Sequence, residues 1–521
     1  MILALAWTAT WVACAGLAPQ ESYYVDASLE PDASLLGWEA VNNLAGAEAP
    51  LRRDLVLAVR GDDGRELRIH ACRPNGIDPV PRRSVPMLDD IIAWGSADLR
   101  PEAGNELLLL TRGGAWVYSI QKDGYRNNAA PIARVELIYD LPNPAALPHW
   151  DFVLPGPDGQ GADRFLLPAR DGFAVWSPDP EKEATWQPGT TFPVEHANTS
   201  SDRSLSAADN RSRGRARVAL ALKGDDIPLL ADDEADAADL LSDSLAYRAP
   251  AMMDIDGNGS LDLLIWTKEG LAFHSAGASQ ATSLTPLPKY LTPDKSDLSL
   301  QLADLDGDGD IDFLARLKGE SKGLSNSKVQ VLTLLQSPGQ LFPKKPNGVL
   351  RFEASELRTE VTDVNGDKRP DLVVRKFELP GLLESVNGLE FTFTHLVFFG
   401  GKRGFERKPS VKATEIYDED SVAGVIANYE LVRDCDGDGI ADLAAIDLGG
   451  RLAVRRVQKS SGFFSGDSWS LEEAPWKRFE TRGAISSLSV PDLNGDGLGD
   501  LVSLGSDRLT IMLSMTKGQS R

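Results

Sequence analysis

Short apolar runs alternate with polar turns along most of the chain. Leu55–Val59, Leu107–Leu110, Phe165–Leu167, Leu261–Trp266, Leu372–Val374 and Leu501–Leu504 are such runs, set off by Gly, Asp, Asn or Ser. Runs this short, with turn residues between them, read as β-strands and not as helices. In the C-terminal half the order repeats: a strand, an acidic turn, a second strand, a turn often marked by glycine, a third strand. Gly270 precedes Leu271–His274, and Gly449 with Gly450 precedes Leu452–Val457. A unit of about 50 to 60 residues with three or four strands has the size of a propeller blade. Eight units begin near residues 37, 86, 146, 246, 297, 353, 425 and 483. The expected fold is all-β: a single β-propeller of seven to eight four-stranded blades spanning 22–521. The eighth unit lacks a fourth strand. Ser22–Leu29 is the candidate to supply it and close the ring, which removes exposed sheet edges.

Two stretches depart from this grammar. Residues 178–245 enlarge the third unit with a basic run (Arg211, Arg213, Arg215, Arg217) and an acidic one (Asp232, Asp233, Glu234, Asp236, Asp239). This composition reads as a solvated surface insertion, with a docking appendage as the functional alternative and Val218–Leu222 as a candidate fourth strand. A smaller insertion lies near Leu379–Leu389. At the other extreme, residues 1–20 carry no charged side chain, and Ile2–Val12 is mostly apolar, followed by Ala13, Ala15 and Gly16. Residues 1–18 are therefore expected to be an export signal, too short for a membrane span. Trp11–Cys14 also resembles a bacterial lipobox, which makes Cys14 a candidate lipid anchor. Either reading implies a secreted, periplasmic or outer-surface location. No later stretch reaches 18 uninterrupted apolar residues, so no transmembrane span is expected.

The acidic turns carry the chemistry. Five nine-residue copies occur, at Asp254–Asp262, Asp304–Asp312, Asp363–Asp371, Asp434–Asp442 and Asp492–Asp500. Positions 1, 3, 5 and 9 offer side-chain oxygens: Asp254, Asp256, Asn258 and Asp262; Asp304, Asp306, Asp308 and Asp312; Asp363, Asn365, Asp367 and Asp371; Asp434, Asp436, Asp438 and Asp442; Asp492, Asn494, Asp496 and Asp500. Position 7 would offer a backbone carbonyl, from Ser260, Asp310, Arg369, Ile440 and Leu498. Calcium takes six to eight hard oxygens in flexible geometry, which this set suits. Magnesium prefers a stricter octahedron, and the absence of His disfavours softer metals. Up to five Ca2+ ions are expected. Asp, Asn and Gly also favour plain turns, but five copies in one ligand register argue for metal. Lys368 stands where the other loops have glycine, so 363–371 is expected to be the weakest site and the two all-aspartate loops the strongest.

The pattern D-x-(D/N)-G-(D/N)-G-x-x-D-L has two exceptions, Lys368 at its second glycine and Phe313 at its final leucine. It resembles the FG-GAP/VCBS repeat of integrin α-subunits and many exported bacterial proteins. That resemblance is specific over 246–521 and only architectural over 37–245. It implies a propeller, usually seven-bladed, with calcium in loops on one face and a protein or glycan ligand. The first three units lack ligands: Arg100 replaces an acidic one, and Pro155 and Pro157 interrupt the third loop.

Composition narrows the function. The net charge of −23 disfavours nucleic acid as a partner. Three cysteines cannot build a disulfide framework. The five histidines (His70, His149, His196, His274, His395) are scattered, and no nucleophile elbow, zincin motif or P-loop is present. The chain is therefore expected to be a binding or adhesion module and not an enzyme. A propeller-based polysaccharide lyase or hydrolase, or a structural envelope component, is the alternative. Trp94, Trp150, Trp176 and Trp266 lie in or beside strand patterns and are expected in the core.

Overall fold

The computed structural model describes most residues between 22 and 516. Residues 1–21, 43–52, 100–104, 126–129, 138–146, 155–162, 180–184, 193–202, 208–250, 256–261, 276–282, 320–325, 380–390, 418–428 and 517–521, with shorter gaps between, lie outside the description. The described chain is nearly all strand, with one 3-10 turn at Lys289–Leu291.

Eight four-stranded antiparallel sheets follow one another. Blade 1 holds Ser34–Asn42, Arg53–Gly61, Gly64–Arg73 and Arg83–Met87; blade 2 holds Ile91–Ala97, Glu106–Thr111, Gly114–Tyr118 and Ala130–Arg134. Blade 3 holds Val153–Leu154, Arg164–Ala169, Gly172–Pro178 and Trp186–Phe192; blade 4 holds Ala251–Met253, Asp262–Trp266, Gly270–His274 and Ser283–Pro286. Blade 5 holds Ser296–Ala303, Asp312–Gly319, Ser327–Leu334 and Gly348–Ala354; blade 6 holds Glu356–Thr362, Asp371–Glu378, Phe391–Phe398 and Val411–Tyr417. Blade 7 holds Tyr429–Arg433, Asp442–Ile446, Leu452–Arg455 and Lys477–Phe479. Blade 8 takes Ile485–Ser489, Leu501–Gly505 and Leu509–Thr516 from the C-terminus and Ser22–Asp26 from the N-terminus. The count is eight, the upper end of the expected range.

The core is divided. Eight apolar slabs lie between the blades, one at each junction. Side chains alternate along a strand, so each blade feeds both neighbours. In blade 2, Leu107 and Leu109 face blade 1, while Leu108 and Leu110 face blade 3. Burial on both faces explains why the second strands read as continuous apolar runs.

Ring closure uses the expected segment. Ser22 pairs with Thr516 and Asp26 with Met512, and hydrogen bonds continue to Leu29 and Leu509 at 2.9 Å. The last slab joins Leu493, Val502, Ile511 and Leu513 of blade 8 to Trp38, Leu55 and Leu57 of blade 1. Opposite it, Tyr24 packs edge-on against Phe479, with ring centroids 5.0 Å apart.

The enlarged third unit differs from expectation in one respect. Its fourth strand is Trp186–Phe192, paired with Gly172–Pro178, and not Val218–Leu222, which lies outside the described residues. Further along the same stretch, Arg203–Ala207 adds a parallel strand to Ser296–Ala303 of blade 5.

Loss of the closing strand uncovers the edge of Leu509–Thr516. A chain lacking residues 22–29 is therefore expected to self-associate, seen as a concentration-dependent mass in light scattering. A monomeric truncation with unchanged melting temperature would refute this role.

Candidate metal centres

The five acidic turns join the first and second strands of blades 4 to 8. Of the first, Asp254, Asp256, Asn258 and Ser260 lie outside the described residues, while Asp262 is described. The other four share one hydrogen-bond plan. Position 1 curls the backbone by accepting at least two N–H groups. Asp304 takes Gly307 and Gly309 at 2.7 and 3.1 Å, and Asp363 takes Gly366 and Lys368 at 2.9 and 2.8 Å. Asp434 takes Gly437 and Gly439 at 2.6 and 2.7 Å, and Asp492 takes Gly495 and Gly497 at 2.7 and 3.1 Å. At position 3, Asn365, Asp436 and Asn494 each accept the N–H two residues on. Asp308, Asp367, Asp438 and Asp496 do so at position 5. These Asx turns occupy one oxygen of each side chain and leave a carboxylate its other oxygen.

Several of the remaining oxygens have no protein partner. Asp306 Oδ1, Asp442 Oδ1 and Asp496 Oδ2 are buried without a hydrogen bond. In the two all-aspartate loops, Asp304, Asp306 and Asp312, and likewise Asp434, Asp436 and Asp438, bring carboxylate oxygens within 4.8 Å of one another. These two groups could bind a metal. A buried acceptor left unpaired costs roughly 1–3 kcal/mol, and more when charged. A hard divalent cation satisfies it, so the donor set fits calcium. Position 7 keeps its place in the turn: the N–H groups of Asp310, Arg369, Ile440 and Leu498 are tied to position 5.

Burial holds several loop carboxyls above their ordinary range. Burial raises Asp312 and Asp500 to about 7, and Asp371 and Asp438 to about 6. Burial first, then neighbouring carboxylates, also pushes up Asp306 and Asp442.

The closing acid has a second role. Its Oδ2 accepts the N–H of position 2 in all five turns: Ile255 to Asp262, Leu305 to Asp312, Val364 to Asp371, Cys435 to Asp442 and Leu493 to Asp500, at 2.6–2.9 Å. In three blades Oδ1 reaches the third strand or its end. Asp312 accepts Gln336 N–H, Asp371 accepts Gly400 N–H, and Asp500 accepts Ser514 N–H, each at 2.7 Å. The unit without ligands in blade 2 keeps the bracket, with Leu99 N–H donating to Glu106 at 2.8 Å. Asp54 and Asp163 stand at the head of the second strand in blades 1 and 3. Asp54, Glu106 and Asp163 lie outside any ligand pattern, so the acidic-loop motif does not single them out. The detectable signal is an acid just before or at the start of each second apolar run.

Lys368 has φ 68°, the one non-glycine residue with positive φ among the described residues. Gly309, Gly439 and Gly497 hold the same place at 95°, 85° and 88°. Arg456, outside the motif, was also missed. Its Nη1 lies 3.6 Å from Asp436 Oδ2, while Nη2 and Nε clamp Glu472 at 2.7 and 3.1 Å. A fixed cation there competes with a metal for Asp436, a contact the loop sequence alone does not reveal. Adjacent loops also bond directly: Ala441 N–H to Val364 O at 2.8 Å, and Gly499 N–H to Asp434 O at 2.7 Å.

No family model matches the chain, and no curated protein matches it. Among solved structures it is similar to BBS1N in complex with ARL6DN, soaked with lead (TM-score 0.31, 11% identity, 93% of this chain and 98% of that one). It is also similar to the V. cholerae biofilm matrix protein Bap1 (TM-score 0.31, 10% identity, 96% of this chain and 72% of that one). Likeness at this level carries no argument about the site.

His70, His149, His274 and His395 are buried, as are Trp94, Trp150 and Trp176; His196 and the Trp266 side chain lie outside the described residues. Cys72 and Cys435 are free and buried in different slabs. Among the described residues no helix is long and apolar enough to cross a membrane.

Two outcomes follow. A carboxyl with a folded pKa near 6–7 and an unfolded one near 4 binds more protons folded than unfolded between those values. Chelated protein should therefore lose stability as pH rises from about 4 to about 7. Urea melts at each pH measure this, and a rise in stability over that window would contradict it. Lys368→Gly should stabilise the chelated fold by about 1 kcal/mol in the same assay, because only glycine takes that φ without strain.

Proposed function

We propose that this chain is an exported, calcium-stabilised propeller of the FG-GAP/VCBS type that acts as a protein- or glycan-binding, adhesive module. The observation that carries this reading is the set of buried, unpartnered oxygens on Asp306, Asp442 and Asp496, held inside loops that share one ligand register. The ligands in this reading are the side chains at positions 1, 3, 5 and 9, with the position-7 carbonyl. Calcium supplies the positive charge these loops need, and its role is to fix the turns. The apolar leader supports export, with Cys14 as the anchor if the chain is lipidated. Four buried histidines and the lack of a catalytic motif favour binding over catalysis.

Adding calcium to chelated protein should raise its melting temperature in a dose-dependent way. One site at one hundred times its Kd contributes about 2.7 kcal/mol by linkage. Magnesium at equal concentration should do markedly less. Removing position 1 from the two all-aspartate loops, as Asp304→Ala with Asp434→Ala, should abolish most of the shift. An unchanged melting curve on chelation would sink the proposal.

A further inference from the structure

One cavity lies between two of the acidic turns. It has a volume of about 480 Å³ and is walled by Asn365 and Asp367 from one loop, Asp438 from the next, and Phe399, Lys459 and Trp469. Volumes of roughly 300–1,000 Å³ are usual for small-ligand sites. Its outer wall is an addition to the blade plan. Between the third and fourth strands of blade 7 the chain makes an extra hairpin, Val457–Gly462 with Gly466–Leu471, which lies beside Val411–Tyr417 of blade 6. Lys459 and Trp469 are directly paired across this hairpin.

The aromatic wall is braced. Phe399 meets Trp469 edge to face, with centroids 5.0 Å apart and planes at 82°. Trp469 itself remains half-buried, so part of the indole stays open. The Lys459 ammonium sits 5.4 Å from the indole centroid and 2.7 Å from Asp467 Oδ2. Lys459 is exposed, and Asp467 can hold its charge aside when another group takes the ring face.

From this geometry we infer that the cavity binds a pyranose ring of a neutral glycan. This rests on the reading of the chain as a binding propeller. The apolar face of a sugar ring stacks on an indole, and side-chain oxygens set around it accept its hydroxyls. Asp367 and Asp438 supply those acceptors, since a carboxylate oxygen keeps a lone pair for a hydroxyl beside a cation it ligates, and the Asn365 amide N–H groups can donate. An acidic polymer would meet a chain of net charge −23. A basic peptide would have to displace Lys459 and share the loop carboxylates with a cation. A neutral sugar also moves Lys459 off the ring face, but it brings no charge to compete with a cation for the loop carboxylates.

The test uses the full chain in calcium buffer, with cellohexaose and maltohexaose as neutral probes and hexagalacturonate and hexalysine as charged ones. Tryptophan fluorescence and calorimetry report binding. At least one neutral hexasaccharide should bind, and Trp469→Ala should weaken it by about tenfold or more. Trp469→Phe should retain most of the affinity, because a ring remains for stacking. The calcium-induced rise in melting temperature should persist in both variants, which separates a failed groove from a failed metal reading. Equal binding by wild type and Trp469→Ala, no neutral binding, or binding of a charged probe in its place would overturn the inference.

Discussion

Two-faced burial is the constraint on which this molecule depends. Each blade presents apolar side chains to both of its neighbours, so no blade is complete alone. A linear stack of such sheets would expose a hydrophobic face at each end. Bending the stack into a ring lets the first blade cover the last, through Trp38, Leu55 and Leu57 against Val502 and Ile511. Everything else adjusts to that demand, including the N-terminal strand that completes blade 8.

The closing acid and the metal ligands solve different problems. Glu106 and the five closing aspartates bracket the turn into the second strand by accepting the N–H seven residues back. That bracket persists in blade 2, where the ligand pattern is gone. The acid at position 1 curls the backbone with both oxygens, whereas the carboxylates at position 5 use one oxygen for the turn and gather negative charge with the other. Blade 7 shows the separation best. Asp442 keeps its bracket to Cys435 while its buried Oδ1 has no hydrogen-bond partner.

Much of this was legible in the chain. Strand runs and their spacing marked eight units within an expected seven to eight blades, and Ser22–Leu29 was the candidate closing strand because a fourth strand was missing. Lys368 announced a strained position, and its φ bears that out. What stayed hidden depends on contacts between distant segments. The fourth strand of blade 3 is Trp186–Phe192, whose pattern carries Pro188 and Gly189 and little apolar alternation. Arg456 and Trp469 approach the loops only because a hairpin leaves the blade plan. Glu106 was hidden by its neighbours, which lack ligands, although its place at the strand head is periodic.

The strand that closes the ring has a consequence for how the chain folds. Ser22 and Thr516 meet across almost the entire sequence, so this pairing has very high contact order. The segment made first must wait for the segment made last. Until then blade 8 lacks a strand and the slab at its junction with blade 1 is open to water. Closure is thus a late event, reached only after a full-length chain has emerged, and the intermediates before it carry exposed sheet edges.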